Sequence, residues 1–586
     1  MTMYNIKLGR ERLVVVALCL IAALPAGAGL PALPGLHRHP KAEAHAGPSL
    51  VAAANPLAVD AGLEILKKGG KAIDAAVAIQ AVLGLVEPQS SGVGGGAFLM
   101  YYDASTGVVS AIDGRETAPA GATPDMFLDE HGKPVPFVEA VRSGRSTGVP
   151  GVIAMLSTAH ARLGVRPWKE LFQPAIRAAT QGFKVPDRLA SFLGEGSPSP
   201  PTTEIRALFS KPNGEPLNAG DLFKNPAYAQ TLEKIADQGP RALYEGPLAE
   251  EIVKVTQSPP LPGTLTLKDL AAYRSNWVKP ICGPYRQYTV CVPEPPSSGV
   301  NLLEMLGILD KTDIAERGPT DPEAWFLFAQ ASRLIYADRD HYVDDPNFTA
   351  VPVEKLLEPA YLKLRAQLIG DKAGPAPPPG NIIVLPPHGH DATHESAGTS
   401  HFVVVDSAGN VVSMTTTVES IFGSNRTAGG FVLNNQLTDF SLAPTDENGH
   451  PAVNRVQGGK KPRSSMSPVI VLDHEGRFVA ALGSPGGTAI LDYNAKALVA
   501  LLAWKMPIKA AIELPNLIAH GDDYSGEREK FAPGVLTGLR DRGVEVRFGR
   551  AEGSGFQAVV ELPDGTYEGA ADSRREGVVK MLPADK

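Results

Sequence analysis

The sequence predicts a mixed α/β fold, and three observations carry that prediction. Residues 398–419 hold two β-rich runs on either side of a short polar turn, Ser407-Ala408-Gly409, and read as a hairpin. Asn55-Pro56 stands as N-cap and first helical residue, Leu57 to Lys68 places apolar residues at helical spacing, and Gly69-Gly70 ends the run. Ala72 to Leu85 is almost wholly apolar and predicts a second, buried helix. Further helical patterns lie around 152–163, 168–181, 226–238, 248–257, 302–309 and 322–340, and 491–504 follows a strand at 479–482. With 586 residues, 43% hydrophobic and 20% charged, the chain suffices for several average domains or one large α/β unit. Its net charge of −8 argues against nucleic acid or an anionic membrane as the main partner.

Taken in order, the chain opens with Lys7, Arg10 and Arg12, an apolar run from Leu13 to Leu24, and the small-residue stretch Pro25-Ala26-Gly27-Ala28. That pattern predicts a signal peptide over residues 1–28, because a membrane span needs roughly 20 apolar residues. Leu18 before Cys19 does not fit a lipoprotein site. The expectation is an exported protein, periplasmic or secreted, with no stable membrane anchor after cleavage. Cys282 and Cys291 then remain, flanking a tight turn between two short strands, where a local disulfide and two buried thiols both fit.

Glu87 to Phe98 is glycine-rich, but no Gly-Lys-Ser/Thr ending follows and a strand, not a helix, comes next, so a phosphate loop is not expected. Close backbone approach in a sheet accounts better for these glycines. Arg115, at a strand end, can take a carboxylate through both guanidinium nitrogens, or can pair locally with Glu116. The acid pairs Asp338/Asp340 and Asp344/Asp345 read as helix-end carboxylates, capping or solvated, rather than metal ligands. His388, His390, Asp391, His394 and Glu395 have spacing that can bind zinc, yet they lie in a Pro/Gly-rich stretch that favours a mobile tail, and no metal is expected.

The hairpin is where chemistry concentrates. A turn centred on Ala408 sets Asp406 opposite Asn410 and Thr399 opposite Thr417, bringing two hydroxyls together. The preceding polar segment, Gly374 to Gly398, does not read as core, so a cut at Gly398–Thr399 disturbs no packed element. Such a cut frees the α-amine of Thr399, which can activate its own hydroxyl. His401 shares a strand face with Thr399 and is assigned a structural role.

Thr399-Ser400-His401, then Gly409-Asn410-x-Val412-Ser413-x-Thr415-x-Thr417-Val418-Glu419, then Phe422-Gly423, resemble the gamma-glutamyltranspeptidase family. Weaker echoes, from the glycine-rich run to Gly569–Gly577, extend the resemblance over nearly the whole mature chain. It implies a four-layer αββα sandwich of the N-terminal nucleophile hydrolase type. It also implies a precursor that cuts itself into a large subunit, 29–398, ending in a mobile segment 373–398, and a small subunit, 399–586. Thr399 would be the nucleophile, Thr417 would orient it, and the N–H groups at Gly486 and Gly487 would hold the oxyanion. The matching positions place Arg115 on the donor's carboxylate, Glu419, Gln436 and Asp439 on its α-amino group, and Ser464 and Ser465 along the γ-glutamyl pocket. Glu419 stands where many members carry asparagine, and Ser573 where proline is usual. The loop between Asp439 and Pro462 lacks tyrosine and is short against members with a lid, which implies a more open site. The implied reaction moves a γ-glutamyl group from glutathione or a related amide to water, an amino acid or a dipeptide, without a cofactor. Two alternatives are a cephalosporin (glutaryl) acylase of the same superfamily and a non-catalytic periplasmic binding protein that holds an amino acid through Arg115 and Asp439.

Overall fold

The structure, a computed structural model, describes residues 47–584 except 195, 198, 384–387, 390, 392, 394, 397 and 550–552. The expected signal peptide, 1–28, lies outside the described residues. Two sheets organise the chain. Their strands, in chain order, are β1 (Ser49–Ala53), β2 (Gly96–Asp103), β3 (Val108–Gly114), β4 (Asn276–Val278), β5 (Ile281–Tyr285), β6 (Tyr288–Val292) and β7 (Gly398–Val405). They continue as β8 (Val411–Glu419), β9 (Val469–Leu472), β10 (Phe478–Gly483), β11 (Gln557–Glu561), β12 (Tyr567–Ala571) and β13 (Val578–Leu582). The first sheet runs β13-β1-β7-β8-β2-β3-β4 and the second β12-β11-β10-β9-β6-β5. Neighbours in both are antiparallel.

Period-two alternation sorts their side chains into three apolar layers. Val51, Phe402, Val404, Val412 and Met414 face a helical layer that includes helices Pro56–Lys67 and Ala72–Val86. Their alternates Leu50, Ala52, Val403, Val405 and Val411 meet Ile470, Leu472, Ala481 and Val559 of the second sheet. On that sheet's far side Val469, Val471, Ala480 and Leu482 pack on helices Gly299–Leu309, Pro322–Tyr342 and Ile490–Leu498. This is the expected helix-sheet-sheet-helix sandwich. Both faces of each central strand are apolar, so a one-residue slip would keep the strands hydrophobic but destroy the polar edge they share at Thr399.

Local signals placed most of the larger elements. Asn55 Oδ1 accepts from Leu57 N–H at 3.0 Å and caps the first helix. Every residue of the second helix, Ala72–Val86, is buried. Helices Val152–Leu163 and Pro226–Gln238 have the bounds the sequence suggests. The expected helix over 168–181 is instead two, Trp168–Leu171 and Gln173–Gln181, the second opened by Pro174. Past Leu498 the expected long helix widens into a π turn, Val499–Ala503. Cys282 and Cys291 face each other across β5 and β6 and form a disulfide.

Two expectations need correction. Asp338 and Asp344 are fully buried, neither capping nor solvated: Asp338 takes Tyr361 Oη–H at 2.6 Å and pairs with Arg365 at 3.1 Å, and Asp344 pairs with Lys460 at 2.7 Å. The segment before Thr399, read as lying outside the core, does so only in part: Gly374, Pro375, Ala376, Pro378 and Pro379 are exposed, whereas Gly389, Asp391 and Glu395 are buried. Ala373 N–H donates to Arg542 O, Gly380 N–H to Asp338 Oδ1, and Asp391 and Glu395 are buried against Arg463 and Arg339. Polar residues enter an interior when each charge finds a partner, and these partners come from far along the chain.

Candidate active site

The hairpin has the expected register: Val405 faces Val411, Thr399 faces Thr417, and Asp406 N–H donates to Asn410 O at 3.0 Å. The two threonine hydroxyls are 3.1 Å apart and buried. Thr417 Oγ1–H donates to the Gly398 carbonyl at 2.7 Å. Because a hydroxyl has one proton, Thr417 Oγ1 must accept at its other contacts, from the Thr399 hydroxyl and from Glu419 N–H at 2.8 Å. Thr399 is thereby oriented, and the carbonyl immediately before it is polarised by the same side chain. Beyond Thr417 the pairing slips, and Glu419 takes φ 82°, a left-handed conformation at the point where the strand leaves the sheet.

The glycine-rich run lies directly behind this pair. A Cβ on Gly95 would sit 1.9 Å from Thr417 O, so glycine is required for β2 to approach β8. Arg575 Nη1–H holds the Thr399 carbonyl at 2.9 Å. His401 Nδ1 lies 2.9 Å from Thr415 Oγ1, away from Thr399, and burial pushes its pKa down to about 3, leaving the imidazole neutral.

Beside the threonines lies a cluster of buried charge. Arg115 Nη2–H donates to Asp439 Oδ2 at 2.6 Å and to Arg463 O at 2.7 Å, and Nε–H to Pro462 O at 3.2 Å. Glu116, the local alternative partner, comes no nearer than 4.0 Å. Gln436 Nε2–H bridges Glu419 Oε2 at 3.2 Å and Asp439 Oδ2 at 2.5 Å. Burial drives the Glu419 carboxyl well above the usual carboxylate range, and the nearby Asp439 charge adds to it. Burial also raises Asp439, to about 6, against the pull of Arg115. Burial thus pushes both carboxyls upward, and with Gln436 they gather oxygen acceptors at one place, as an ammonium group requires.

Ser464 and Ser465 enter from the loop before β9. Ser298 N–H donates to Ser464 O and Ser464 N–H to Pro296 O, fastening this loop to the turn before helix Gly299–Leu309. Ser465 Oγ accepts from Arg339 Nη2–H at 2.8 Å. Gly487, at φ 56°, opens the turn into helix Ile490–Leu498, where any side chain would meet the Ser396 carbonyl 2.4 Å away.

Arg115, Thr399, Thr417, Glu419, Asp439, Ser464, Ser465 and Gly487 thus line one cavity, with Gln436 and Gly486 adjoining them. Sequence reasoning did not assign Met466, Ile490, Glu395 and Ser396 to it, yet they complete the wall. Ser396 N–H donates to Glu419 Oε1 at 2.6 Å, and Ser465 N–H to Glu395 Oε2 at 3.2 Å. With these two residues in place the space for the centre of a water-sized sphere is about 10 Å³, room for one water. The signal that could have found Glu395 was its place in the His/acid cluster, which has a use unrelated to metal. Among the described residues no group of three His, Cys, Asp or Glu could hold a metal ion, and His390 and His394 lie outside them.

A buried threonine at a strand start, beside a paired hydroxyl and set in the inner sheet of an αββα sandwich, defines the N-terminal nucleophile hydrolase class. Comparison with known proteins narrows this. The family model described as Gamma-glutamyltranspeptidase matches residues 58–582, and the chain belongs to the gamma-glutamyltranspeptidase family. It is 38% identical over 542 residues to the glutathione hydrolase proenzyme of Bacillus subtilis (strain 168), covering 90% of each chain. It is 34% identical over 537 residues to the Acylase ACY 1 proenzyme of Pseudomonas sp. (strain V22), covering 90% of this chain and 92% of that one. Among solved structures, cephalosporin acylase from Bacillus halodurans superposes with a TM-score of 0.77 over 95% of this chain and 98% of the other, at 24% identity, a likeness of fold.

Proposed function

We propose that this protein is a self-processing gamma-glutamyltransferase and glutathione hydrolase, with Thr399 as nucleophile. The observation that carries the reading is the Thr417 hydroxyl, which holds the Gly398 carbonyl at 2.7 Å while accepting from the Thr399 hydroxyl at 3.1 Å. Thr399 Oγ1 attacks the Gly398 carbonyl carbon, the Gly398–Thr399 C–N bond breaks, and the hydroxyl's proton goes to the departing nitrogen. Water then hydrolyses the ester, leaving a large subunit, 29–398, and a small subunit, 399–586, that begins with a free α-amine.

In turnover that amine takes the Thr399 hydroxyl proton as Oγ1 attacks the γ-carbonyl of the donor. The Gly486 and Gly487 N–H groups receive the oxyanion, and the proton passes to the leaving amine. Water, an amino acid or a dipeptide then resolves the γ-glutamyl ester. Asp439, Glu419 and Gln436 receive the donor's α-ammonium, and Arg115, Ser464 and Ser465 its carboxylate end. A glutaryl donor lacks that ammonium and would leave the acceptor oxygens gathered at Glu419, Gln436 and Asp439 unused, which favours a γ-glutamyl donor over the acylase reading. The disulfide fits an oxidising compartment, periplasmic or extracellular, and no helix among the described residues is long and apolar enough to cross a membrane.

The test is the intact mass of the purified chains. Two chains are expected, the smaller starting at Thr399, whereas Thr399→Ala should give one uncut, inactive chain; a Thr399→Ala variant that matures and turns over donor would exclude the mechanism. Asp439→Asn should raise KM for a γ-glutamyl amide by about ten-fold or more and leave a glutaryl amide unaffected. Equal effects on both would remove the α-amine assignment.

A further inference from the structure

The turn that carries Gly486 and Gly487 is held from behind by a phenol. Gly486 and Gly487 take φ 150° and 56°, so the backbone here has the freedom of two glycines and depends on outside contacts to stay in place. On one side Ser484 Oγ–H donates to Pro485 O at 2.7 Å, and Ser484 Oγ accepts from Gly555 N–H at 3.1 Å. On the other, Tyr336 Oη–H donates to Thr488 O at 2.5 Å, one residue past Gly487. Tyr336 is buried, comes from helix Pro322–Tyr342, and stands 152 residues before Thr488. No step of the reaction described above uses it.

The same phenol oxygen lies 3.1 Å from Asp492 Oδ2, on the helix that the turn opens. A phenol has one proton and a carbonyl has none, so the nearer contact, to Thr488 O, takes it. The contact to Asp492 is then a hydrogen bond only if the carboxyl supplies the proton. Two further observations agree. Asp492 is 1% exposed and its Oδ1 accepts no hydrogen bond among the described residues, which a neutral acid tolerates better than a carboxylate. Burial pushes its pKa up to about 7. The pair is faced by His520, which stacks on the Tyr336 ring with centroids 4.6 Å apart and contacts Asp340. Arg339, 5.9 Å from the same ring, and the Glu395 charge also face Tyr336, and Tyr493 adjoins Asp492 on its own helix.

We propose that Asp492 and Tyr336 form a positioning pair for the oxyanion turn: protonated Asp492 donates to Tyr336 Oη, Tyr336 donates to Thr488 O, and the Gly486 and Gly487 N–H groups are thereby held on the oxyanion. The inference rests on the γ-glutamyl reading above and adds to it two residues that do not line the cavity. An oxyanion donor works by being in place before charge develops, so its support acts on the acylation rate and not on donor binding. Ionisation of Asp492 reverses the arrangement. The carboxylate then draws the Tyr336 hydroxyl into a hydrogen bond with itself, Thr488 O is released, and the turn loses its tether.

Single-turnover release of 4-nitroaniline from L-γ-glutamyl-4-nitroanilide, with cleaved enzyme in saturating excess, reads the acylation rate without regard to active fraction. Tyr336→Phe keeps the ring on His520 and removes only the hydroxyl. At pH 6 it should acylate about ten-fold more slowly than wild type, with the half-saturating concentration little changed. The difference should shrink towards none at pH 9, where wild type has released the turn as well. Asp492→Asn keeps a donor to Tyr336 Oη that does not titrate, so it should match wild type at pH 6 and exceed it at pH 9 by up to the same factor. Titration of the Thr399 amine enters all three proteins and cancels in the ratios. A merely structural role would lower the yield of cleaved protein and leave these rates alike. If Tyr336→Phe is not cut into two chains, the Asp492→Asn ratio decides alone. Tyr336→Phe at the wild-type rate throughout, a loss in half-saturation instead of rate, or an Asp492→Asn ratio that is flat with pH would overturn the proposal. Wild type that is cut into two chains yet releases no 4-nitroaniline would refute the γ-glutamyl reading, and the positioning pair with it.

Discussion

The two stretches that meet at the Gly398–Thr399 bond are held in opposite ways. On the C-terminal side, β7 and β8 are paired along their whole length by a local turn, with Thr399 and Thr417 fixed by register. On the N-terminal side, the described residues of 391–396 make no strand, and hold their place through ion pairs to Arg463 and Arg339 and through hydrogen bonds to Ser465 and Glu419. The proposed nucleophile thus stands on a paired strand, and its upstream neighbour is held by side-chain charges that the proposed cut after Gly398 would leave free to separate. Pairing on one side positions the hydroxyl, and polar contacts on the other are of a kind that water or a substrate can replace.

The rigid side is broken most severely at Thr417. Thr417→Val keeps the shape of the side chain but removes the donor to Gly398 O and the acceptor for the Thr399 hydroxyl. Conversion to two chains should slow by about 10²- to 10³-fold, the effect of losing one preorganised donor at a developing oxyanion. A time course of chain masses at constant temperature reads this directly, and cleavage at the wild-type rate would show that Thr417 does not act on the scissile carbonyl.

The same division separates what could be read from the sequence and what could not. The hairpin was legible because every determinant is local: period-two apolar runs, the Ser407-Ala408-Gly409 turn, and a register that follows from centring on Ala408. The acceptor set Glu419, Gln436 and Asp439 was reachable through its motif, since Glu419 ends β8 two residues after Thr417 and Gln436 and Asp439 share one short helical turn. The segment before Thr399 was not. Its composition is that of an exposed linker, and what buries it are arginines 56 residues upstream and 72 downstream of their partners. Nothing in local periodicity encodes such pairings. The Arg115–Asp439 contact, 324 residues apart, escaped for the same reason, though each residue had been noticed alone.

The ionic side should respond to Glu395→Gln. Removing the charge leaves the buried Arg339 short of a partner, which costs about 3 kcal/mol in the uncut protein. The comparison sets a Thr399→Ala background, expected to stay uncut, against the cleaved enzyme, in which the segment is expected to withdraw. Denaturant melts should show the destabilisation in the first and less than about 1 kcal/mol in the second. An equal loss in both forms would mean that Glu395 remains against Arg339 after cleavage, and the contrast between the two sides of the bond would disappear.

The smallest expected effect lies in pH dependence, and it sharpens the contrast through Asp439. An unfolded aspartate gives up its proton near its ordinary value of 3.8, whereas burial, opposed by Arg115 and helped by the Glu395 charge, raises the folded carboxyl to about 6. Between those values the folded state holds the extra proton, so this group's contribution to stability is fully present below about pH 4 and is lost as pH rises through about 6. In uncut Thr399→Ala protein the loss should be at most about 3 kcal/mol, taken as the difference between that protein and its Asp439→Asn counterpart, so that other titrating groups cancel. Cleavage and withdrawal of the segment take the Glu395 carboxylate away and leave Arg115 in place, which lowers the Asp439 pKa and shrinks the difference. A pH-dependent difference that is the same size before and after cleavage would show that the charge on the segment never reached the site.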